Sequence, residues 1–417
     1  MPYTKLIDHR PFLVIQGSSG SGKSTLTREI ARSNDYQRPI SYTTRARRNA
    51  EDDEEYAFLS TDDFLALFGR KFDYYDEFSQ NLYAMDRQSI MDLLDMGIIP
   101  VKEISLENIN KLELRYDCTP LVVQLRGAFQ HREGRSSTKT LETVPYVSIS
   151  FDPSLSETSD LANYVRAWVG LLEKFTQIHG GQVWDELWND DQKNLEGYNK
   201  VAPYFTDEQR VTTHAFHQIS SNFWKSVLES ISGTVLEVGP GRGWLRQNFN
   251  WNDIAYQAVE ISDSMVALNS DAALISVCPL QMLKESDNTF DGILGSLIDP
   301  CLSPPNLMHS FRLLKPGGCF AGTVPALEWS AALRPERGFS STETVFPTPD
   351  GKAYVTSYCF EKTGIEELLS IAGFNNIDVV PLKLSELAMK TVPPDIEIVL
   401  EKVGPDTPIL YAWRASK

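Results

Sequence analysis

The chain alternates short apolar runs with amphipathic segments, the rhythm of strands and covering helices in an α/β fold. Phe12-Leu-Val-Ile reads as a buried strand that runs through a glycine-rich turn into an apolar-faced helix at 26–31. An amphipathic helix is predicted over 61–68, with Asp62 and Asp63 in its first turn, where the helix dipole favours carboxylates. A second helix runs from about Asp86 to Met96 and is stopped by Gly97, and a buried strand over 98–104 contains Glu103. Strands at 121–125 and 146–151 follow, then an amphipathic helix at 161–175 broken by Gly180 and Gly181. Residues 182–198 and 201–231 are again helical in pattern, and a buried strand begins at Thr234 and a further one at Ala255.

The first glycine-rich turn carries chemistry. Gly17, Ser18, Ser19, Gly20, Ser21, Gly22, Lys23, Ser24 and Thr25 fit G-x-x-x-x-G-K-[ST] between a strand and a helix. Glycines let successive backbone N–H groups converge on one concavity, and the helix adds its unsatisfied N-terminal donors. Lys23 is placed to reach the outer phosphates of a nucleotide such as ATP, and the Ser24 hydroxyl to ligate Mg²⁺. Downstream, Arg45, Arg47 and Arg48 stand beside Ser41, Thr43 and Thr44, donors suited to a phosphate monoester.

Length and charge narrow the partners. At 417 residues the chain has room for two to three domains. A net charge of −17 argues against a long nucleic-acid backbone as partner, but not against a small anion held by local arginines. The five cysteines are scattered without a C-x-x-C pair, which points to reduced thiols. The absence of a long apolar run or a leader-like N-terminus predicts a cytoplasmic protein with no membrane contact.

The segment Ser41-Tyr-Thr-Thr-Arg45-Ala-Arg-Arg48, with Tyr56-Ala-Phe-Leu-Ser60 and Phe78-Ser-Gln-Asn-Leu-Tyr83, resembles the guanylate kinase family over about residues 10–125. The resemblance implies that Ser41, Arg45, Arg48, Tyr56 and Tyr83 hold the phosphate of an acceptor. It places Glu103 near both metal and acceptor. Two departures stand out. Tyr74 falls where the family has a glutamate that reads guanine (Asp73 or Asp76 would serve after a small shift), and Ser105 replaces a second acidic reader. Unpaired guanine donors cost about 1–3 kcal/mol each when buried, so the acceptor expected here is a phosphorylated small molecule other than GMP. The span before the strand at 146 is too short for the family's helical lid, although Arg126, Arg132 and Arg135 within it suit a transferring phosphoryl group. Lys23, Arg45, Arg132 and Arg135 are the expected catalytic cations.

In the second half, Glu237-Val-Gly239-Pro-Gly241-Arg-Gly243 runs from strand to helix, and Glu260 ends the next strand, where a carboxylate can accept from both ribose hydroxyls of an adenosine. These residues resemble the class I S-adenosylmethionine-dependent methyltransferases. Later landmarks extend the likeness: Phe290-Asp291, Lys315-Pro316-Gly317-Gly318, and the run from Thr363 to Phe374 before an antiparallel hairpin at 377–381 and 409–414. The resemblance implies that Glu237, Gly239, Gly241 and Gly243 lie against the methionine and ribose of S-adenosylmethionine. It sets Pro279 and Leu280 beside adenine, and Gly295 and Ser296 facing the methyl group. Cys278 or Pro279 stands where many members have an acid for adenine, with Gln281 as a substitute acceptor. His214, His217, Asp299 and His309 are candidate bases.

Together these readings predict two doubly wound α/β domains. A P-loop nucleoside-monophosphate-kinase-like domain covers 1–178, a helical linker or cap 179–207, and a Rossmann-like methyltransferase domain 208–417. The expected function is bifunctional: ATP- and Mg²⁺-dependent phosphoryl transfer to a small phosphorylated metabolite, plus methylation from S-adenosylmethionine in the same pathway. The alternative is a methyltransferase whose P-loop domain binds a nucleotide or phospho-ligand without catalysis.

Overall fold

The computed structural model describes residues 10–17, 20–47, 56–78, 80–105, 108–109, 116, 118–125, 148–151, 157–180, 183–205, 211–337, 342–386, 397 and 401–417. The chain forms two compact units, Met1–Arg166 and Ala167–Lys417. Among the described residues no helix is long and apolar enough to cross a membrane.

Unit 1 contains β1 (Arg10–Gly17), β2 (Tyr36–Gln37), β3 (Ser41–Thr43), β4 (Tyr56–Phe58), β5 (Asp76–Phe78), β6 (Asn81–Met85), β7 (Ile99–Glu103), β8 (Cys118–Leu125) and β9 (Ser148–Phe151). A parallel sheet has the order β2-β7-β1-β8-β9. Its centre is apolar on both faces, as a parallel sheet covered on both sides requires: Phe12, Leu13, Val14, Ile15, Val101, Leu121, Val122 and Val123 are fully buried. A second, smaller sheet of order β4-β3-β6-β5 holds the arginine-rich segment. Helices α1 (Lys23–Ile30), α2 (Thr61–Leu67) and α3 (Arg87–Asp95) start where local chemistry dictates. Ser60 Oγ accepts from the Asp63 N–H, and the Asp86 carboxylate from the Ser89 N–H, each satisfying an orphan donor. Arg166 closes the far end of α1 by donating to the carbonyls of Glu29 and Ile30.

Helix α4 (Thr158–His179) passes through the junction, and α5 (Val183–Val201) follows it. A 3₁₀ turn at Ala202–Tyr204, containing Pro203, ends α5, so the predicted helix over 201–231 is reduced to α6 (Val211–Ser230). Unit 2 then builds β10 (Gly233–Val238), α7 (Trp244–Asn248), β11 (Ile254–Glu260), α8 (Asp263–Val266), β12 (Ile275–Val277), β13 (Phe290–Gly295), α9 (Pro304–Leu313) and β14 (Leu314–Pro325). After α10 (Leu327–Arg337), β15 (Glu343–Thr348) and β16 (Gly351–Thr356) pair as a separate hairpin, and α11 (Lys362–Ile371), β17 (Asn375–Lys383) and β18 (Pro408–Ser416) close the chain. The main sheet has the order β12-β11-β10-β13-β14-β18-β17, with β18 antiparallel to both neighbours. The chain steps outward from β10 through β11 to β12, then restarts on the other side at β13. That reversal opens a crevice beyond the carboxyl ends of β10 and β13, where doubly wound sheets bind ligands. The hairpin β15–β16 went unread in the sequence, although Pro349-Asp350-Gly351 at its turn is a hairpin signal.

Candidate functional sites

In unit 1, β1 delivers Gly17 to the loop at the carboxyl edge of the sheet. Gly17 has φ +153°, and a Cβ there would lie 2.6 Å from Ser21 Oγ and 3.0 Å from the Leu125 carbonyl oxygen, so only glycine fits. Gly22 caps α1 in the left-handed conformation, φ 84°. Lys23, the first helical residue, folds its Nζ back to donate to the Gly17 carbonyl at 2.8 Å, spanning the loop from its far end. Gly20, Ser24 and Thr25 are exposed, while Ser21 is buried. Ser18, Ser19 and Arg48, with Arg126, Arg132 and Arg135 of the predicted lid span, lie outside the described residues.

The small sheet assembles the acceptor candidates by register. Ser41 pairs with Tyr56 across β3 and β4, and Thr43 pairs with Tyr83 across β3 and β6. The Arg45 guanidinium sits 5.3 Å from the Tyr56 ring centroid and 5.4 Å from that of Phe58. Glu103 ends β7 opposite Ile15, and its Oε1 is buried without a hydrogen-bond partner among the described residues. Burial, then the nearby Glu103 charge, pushes the Tyr56 hydroxyl up to about 12, against the pull of Arg38 and Arg45. Tyr56 therefore stays a neutral donor. Arg45, Tyr56, Tyr83 and Glu103 are thus brought together, and Ser41 lies buried beside them on β3.

Lys102 was not foreseen. It is only 5% exposed, and its Nζ lies 4.5 Å from the Tyr56 ring centroid with no hydrogen-bond partner among the described residues. Burial above all, then the Arg38 charge, lowers its pKa to about 7. The visible signal was a lysine inside an otherwise apolar strand run, an uncommon place for an unpaired charge. Tyr74, at the position of the missing guanine reader, packs its ring against the buried cluster that includes Phe12, Ile90 and Tyr116. Among the described residues no three His, Cys, Asp or Glu side chains cluster as a metal site. Ser24 and Glu103, the residues the sequence offered for Mg²⁺, stand at the start of α1 and the end of β7.

In unit 2, Glu260 ends β11 buried, its Oε2 accepting from the Gly241 N–H at 3.0 Å and its Oε1 from the Ser262 N–H at 3.1 Å. Desolvation raises its pKa, opposed by those backbone bonds. Gly239, Gly241 and Gly243 all have positive φ (62°, 53° and 87°), bending the loop so that it lies against Glu260. Glu237 is fully buried in β10 and accepts from the Tyr256 hydroxyl at 2.8 Å; burial pushes its pKa up to about 7. That bond ties β10 to β11.

Pro279 leads into a 3₁₀ turn, Leu280–Met282, with Leu280 buried. Gln281, the expected stand-in acceptor for adenine, donates its amide N–H to Asp191 of α5, and this leaves its carbonyl oxygen to accept. Beyond β13, Gly295 lies against Cys301 and Ile298, and Ser296 Oγ is buried without a hydrogen-bond partner among the described residues. Leu297 adopts φ 57°, a strained conformation for a branched side chain, held by its N–H donating to Thr323 Oγ1. Helix α5 covers this edge: Asn199 accepts from Ser262 Oγ at 2.6 Å, and Tyr198 is half-buried near Asp299 and Glu260. Among the base candidates, His217 stacks on Trp244 at 4.1 Å and His214 contacts Gln218. His309 is pushed down to about 3 by burial and by Arg312. Arg312 bonds Asp287 and the Glu285 carbonyl, before the start of β13, so His309 belongs to the wrong end of the sheet. Asp299, just past β13, is at the crevice end.

A guanylate kinase family model matches residues 9–138. The guanylate kinase of a Synechococcus strain is 31% identical over 137 residues, 31% of this chain and 73% of the relative. The chain belongs, through its first unit, to the guanylate kinase family. The Clostridium tetani guanylate kinase is 25% identical over 154 residues, 36% of this chain and 74% of that enzyme. The rat MAGUK p55 subfamily member 4 is 26% identical over 170 residues, 39% of this chain and 38% of that protein. The match to the family model ends within unit 1. Among solved structures, an S-adenosylmethionine-dependent methyltransferase from Thermotoga maritima aligns at TM-score 0.37 and 16% identity, covering 53% of this chain and 98% of its own. The Haemonchus contortus phosphoethanolamine N-methyltransferase 2 aligns at TM-score 0.35 and 16% identity, covering 54% and 60%. The strand order of unit 2, with its antiparallel final hairpin, is what identifies a Rossmann-like fold of the methyltransferase type.

Proposed function

We propose that this chain is a bifunctional transferase. Unit 1 transfers a phosphoryl group from Mg²⁺-bound ATP to a small phosphorylated acceptor, and unit 2 methylates a small molecule with S-adenosylmethionine. We place the helix α5 functionally with unit 2, whose crevice it covers. The observation that carries the kinase reading is that Glu103, which ends β7 beside β1 where β1 runs into the Gly17–Lys23 loop, also acts on Tyr56 of the smaller sheet, with Arg45 against the Tyr56 ring. A loop that binds nucleotide alone has no need of an arginine, a tyrosine and a carboxylate gathered at the end of the neighbouring strand.

The chemistry follows from those groups. An anionic oxygen of the acceptor phosphate bonds to the γ-phosphorus as the bond to the β–γ bridging oxygen breaks, and the electron pair leaves with ADP. That oxygen carries no proton, so no base is needed. Positioning and charge neutralisation supply the rate, through Lys23 and Arg45. In unit 2 the residues present fit S-adenosylmethionine: Glu260 can accept from a ribose diol, and the positive-φ glycines keep side chains off the loop. When bound, that group supplies an electrophilic methyl. An acceptor lone pair bonds to the methyl carbon, and the sulfur keeps the electrons of the broken bond. Where the acceptor nucleophile carries a proton, Asp299 is the carboxylate at the crevice to receive it.

The second reading, a non-catalytic P-loop domain, is favoured by Tyr74, whose ring packs into the core instead of offering a carboxylate to a base. ATP consumption separates the two. The full chain should turn over ATP with a phosphorylated metabolite, and Lys23→Ala should reduce that turnover at least about 100-fold. ATP binding without turnover across nucleoside monophosphates and sugar phosphates would leave the binding role.

A further inference from the structure

Lys102 poses a problem that the acceptor phosphate alone does not solve. A lysine normally lays its stem along apolar surface and keeps its amine in water. Here the neighbours Val101 and Ile104 hold the strand in the core, and the amine ends under the Tyr56 ring. Burying an amine without an acceptor is costly, and the cost is kept only where something repays it. Arg38 acts on the same two groups, lying close enough to influence both Tyr56 and Lys102 electrostatically. Among the described residues, Arg45 also lies against the Tyr56 ring, and the Glu103 charge acts on its hydroxyl.

The opposite change occurs where a nucleobase would be read. Tyr74 and Ser105 offer no carboxylate there; of the two substitutes, Asp73 is engaged by Arg87, and Asp76 pairs with Tyr83 across β5 and β6. Arg45, Tyr56 and Tyr83 already account for one phosphate. The Lys102 amine is not part of that set.

We propose that the acceptor is a compact bis-anion without a nucleobase, a phosphate monoester bearing a second phosphate or a carboxylate that the Lys102 amine binds beside the Tyr56 ring. This rests on the reading of unit 1 as an acceptor-phosphate site. An ammonium is a compact point charge that serves either anion, which is why the shared chemistry is specified and not the source. Phosphoryl transfer to such an acceptor balances as described above, with ATP as the only co-reactant.

The test is calorimetric titration of the full chain, with the loop saturated by Mg²⁺ and a non-hydrolysable ATP analogue. The probes are ribose 5-phosphate, GMP, fructose 1,6-bisphosphate and 6-phosphogluconate. At least one bis-anion should bind 10-fold or more tighter than ribose 5-phosphate. Fructose 1,6-bisphosphate ahead would name a second phosphate, 6-phosphogluconate ahead a carboxylate. Lys102→Met should erase the preference while leaving ribose 5-phosphate within 3-fold, and Lys102→Gln serves as the second variant should the first fail to fold. Arg45→Ala should weaken every probe. Equal binding of mono- and bis-anions, tightest binding of GMP, or a preference that survives both Lys102 variants overturns this inference and leaves the acceptor-phosphate site standing. Failure of every probe to bind while the ATP analogue does overturns both.

Discussion

Replacing Glu260 with glutamine tests the second site at its most constrained atom pair. The wild-type carboxylate accepts from Gly241 at 3.0 Å and from Ser262 at 3.1 Å, one backbone N–H on each oxygen, leaving lone pairs on both for a ribose diol. A glutamine of the same shape keeps one accepting oxygen and turns an NH₂ toward one of those N–H groups, a donor facing a donor. It also removes the charge that strengthens both ribose contacts. Hydrogen bonds to a charged group are worth about 1.5–3 kcal/mol each. Weakening two of them amounts to roughly 2–4 kcal/mol, or about 30- to 1,000-fold in Kd. Calorimetric titration with S-adenosylhomocysteine measures it, and circular dichroism confirms that the variant is folded. Because desolvation raises the Glu260 pKa, wild-type affinity should also fall as the pH drops toward that raised value, since the protonated acid accepts poorly; the variant should lack this slope. A folded Glu260→Gln protein that binds within about 3-fold of wild type would refute the ribose assignment.

Two further outcomes follow from groups already described. Gly17→Ala forces a Cβ to 2.6 Å from Ser21 Oγ and 3.0 Å from the Leu125 carbonyl at φ +153°. It should cost ~1–3 kcal/mol and remove the thermal stabilisation of unit 1 by Mg²⁺·ATP, read by melting with and without nucleotide. Glu237 couples folding to pH in an unusual direction for a carboxyl. Its folded pKa is raised to about 7 by burial, against the Tyr256 hydrogen bond and Arg246 and together with Glu260 and Asp271. Between about pH 4.5 and 7 the folded protein holds a proton that the unfolded chain has released, so this group's contribution to stability falls as pH rises through that window and levels off above it. Denaturant titrations at several pH values should show that decline in the unit 2 transition, and Glu237→Gln should flatten it.

How much was legible from sequence depended on the range of the interaction involved. The glycine loop, the capped starts of α2 and α3, and the glycine turn after β10 are each specified within about eight residues of chain, and all stand where the pattern put them. Helix ends moved for equally local reasons: Gly22 starts α1 at Lys23, ahead of the apolar run, and Pro203 stops the predicted 201–231 helix. The α/β class needs only the alternation of periods, and so could be read directly.

Lys102 is different, because its meaning comes from Tyr56 on another sheet, and only the folded arrangement brings the two together. The Gln281 side chain is likewise oriented by Asp191, 90 residues earlier, which takes its amide N–H. His309 drops out as a base by its place at the amino end of β13, which no local pattern encodes. The opening loop and the element types were therefore determined by the sequence alone, since backbone geometry and short-range hydrogen bonds specify them. Strand order, the crevice at the β10–β13 reversal and the charge balance around Tyr56 were decided only in the tertiary structure, because they arise from pairings between residues far apart in the chain.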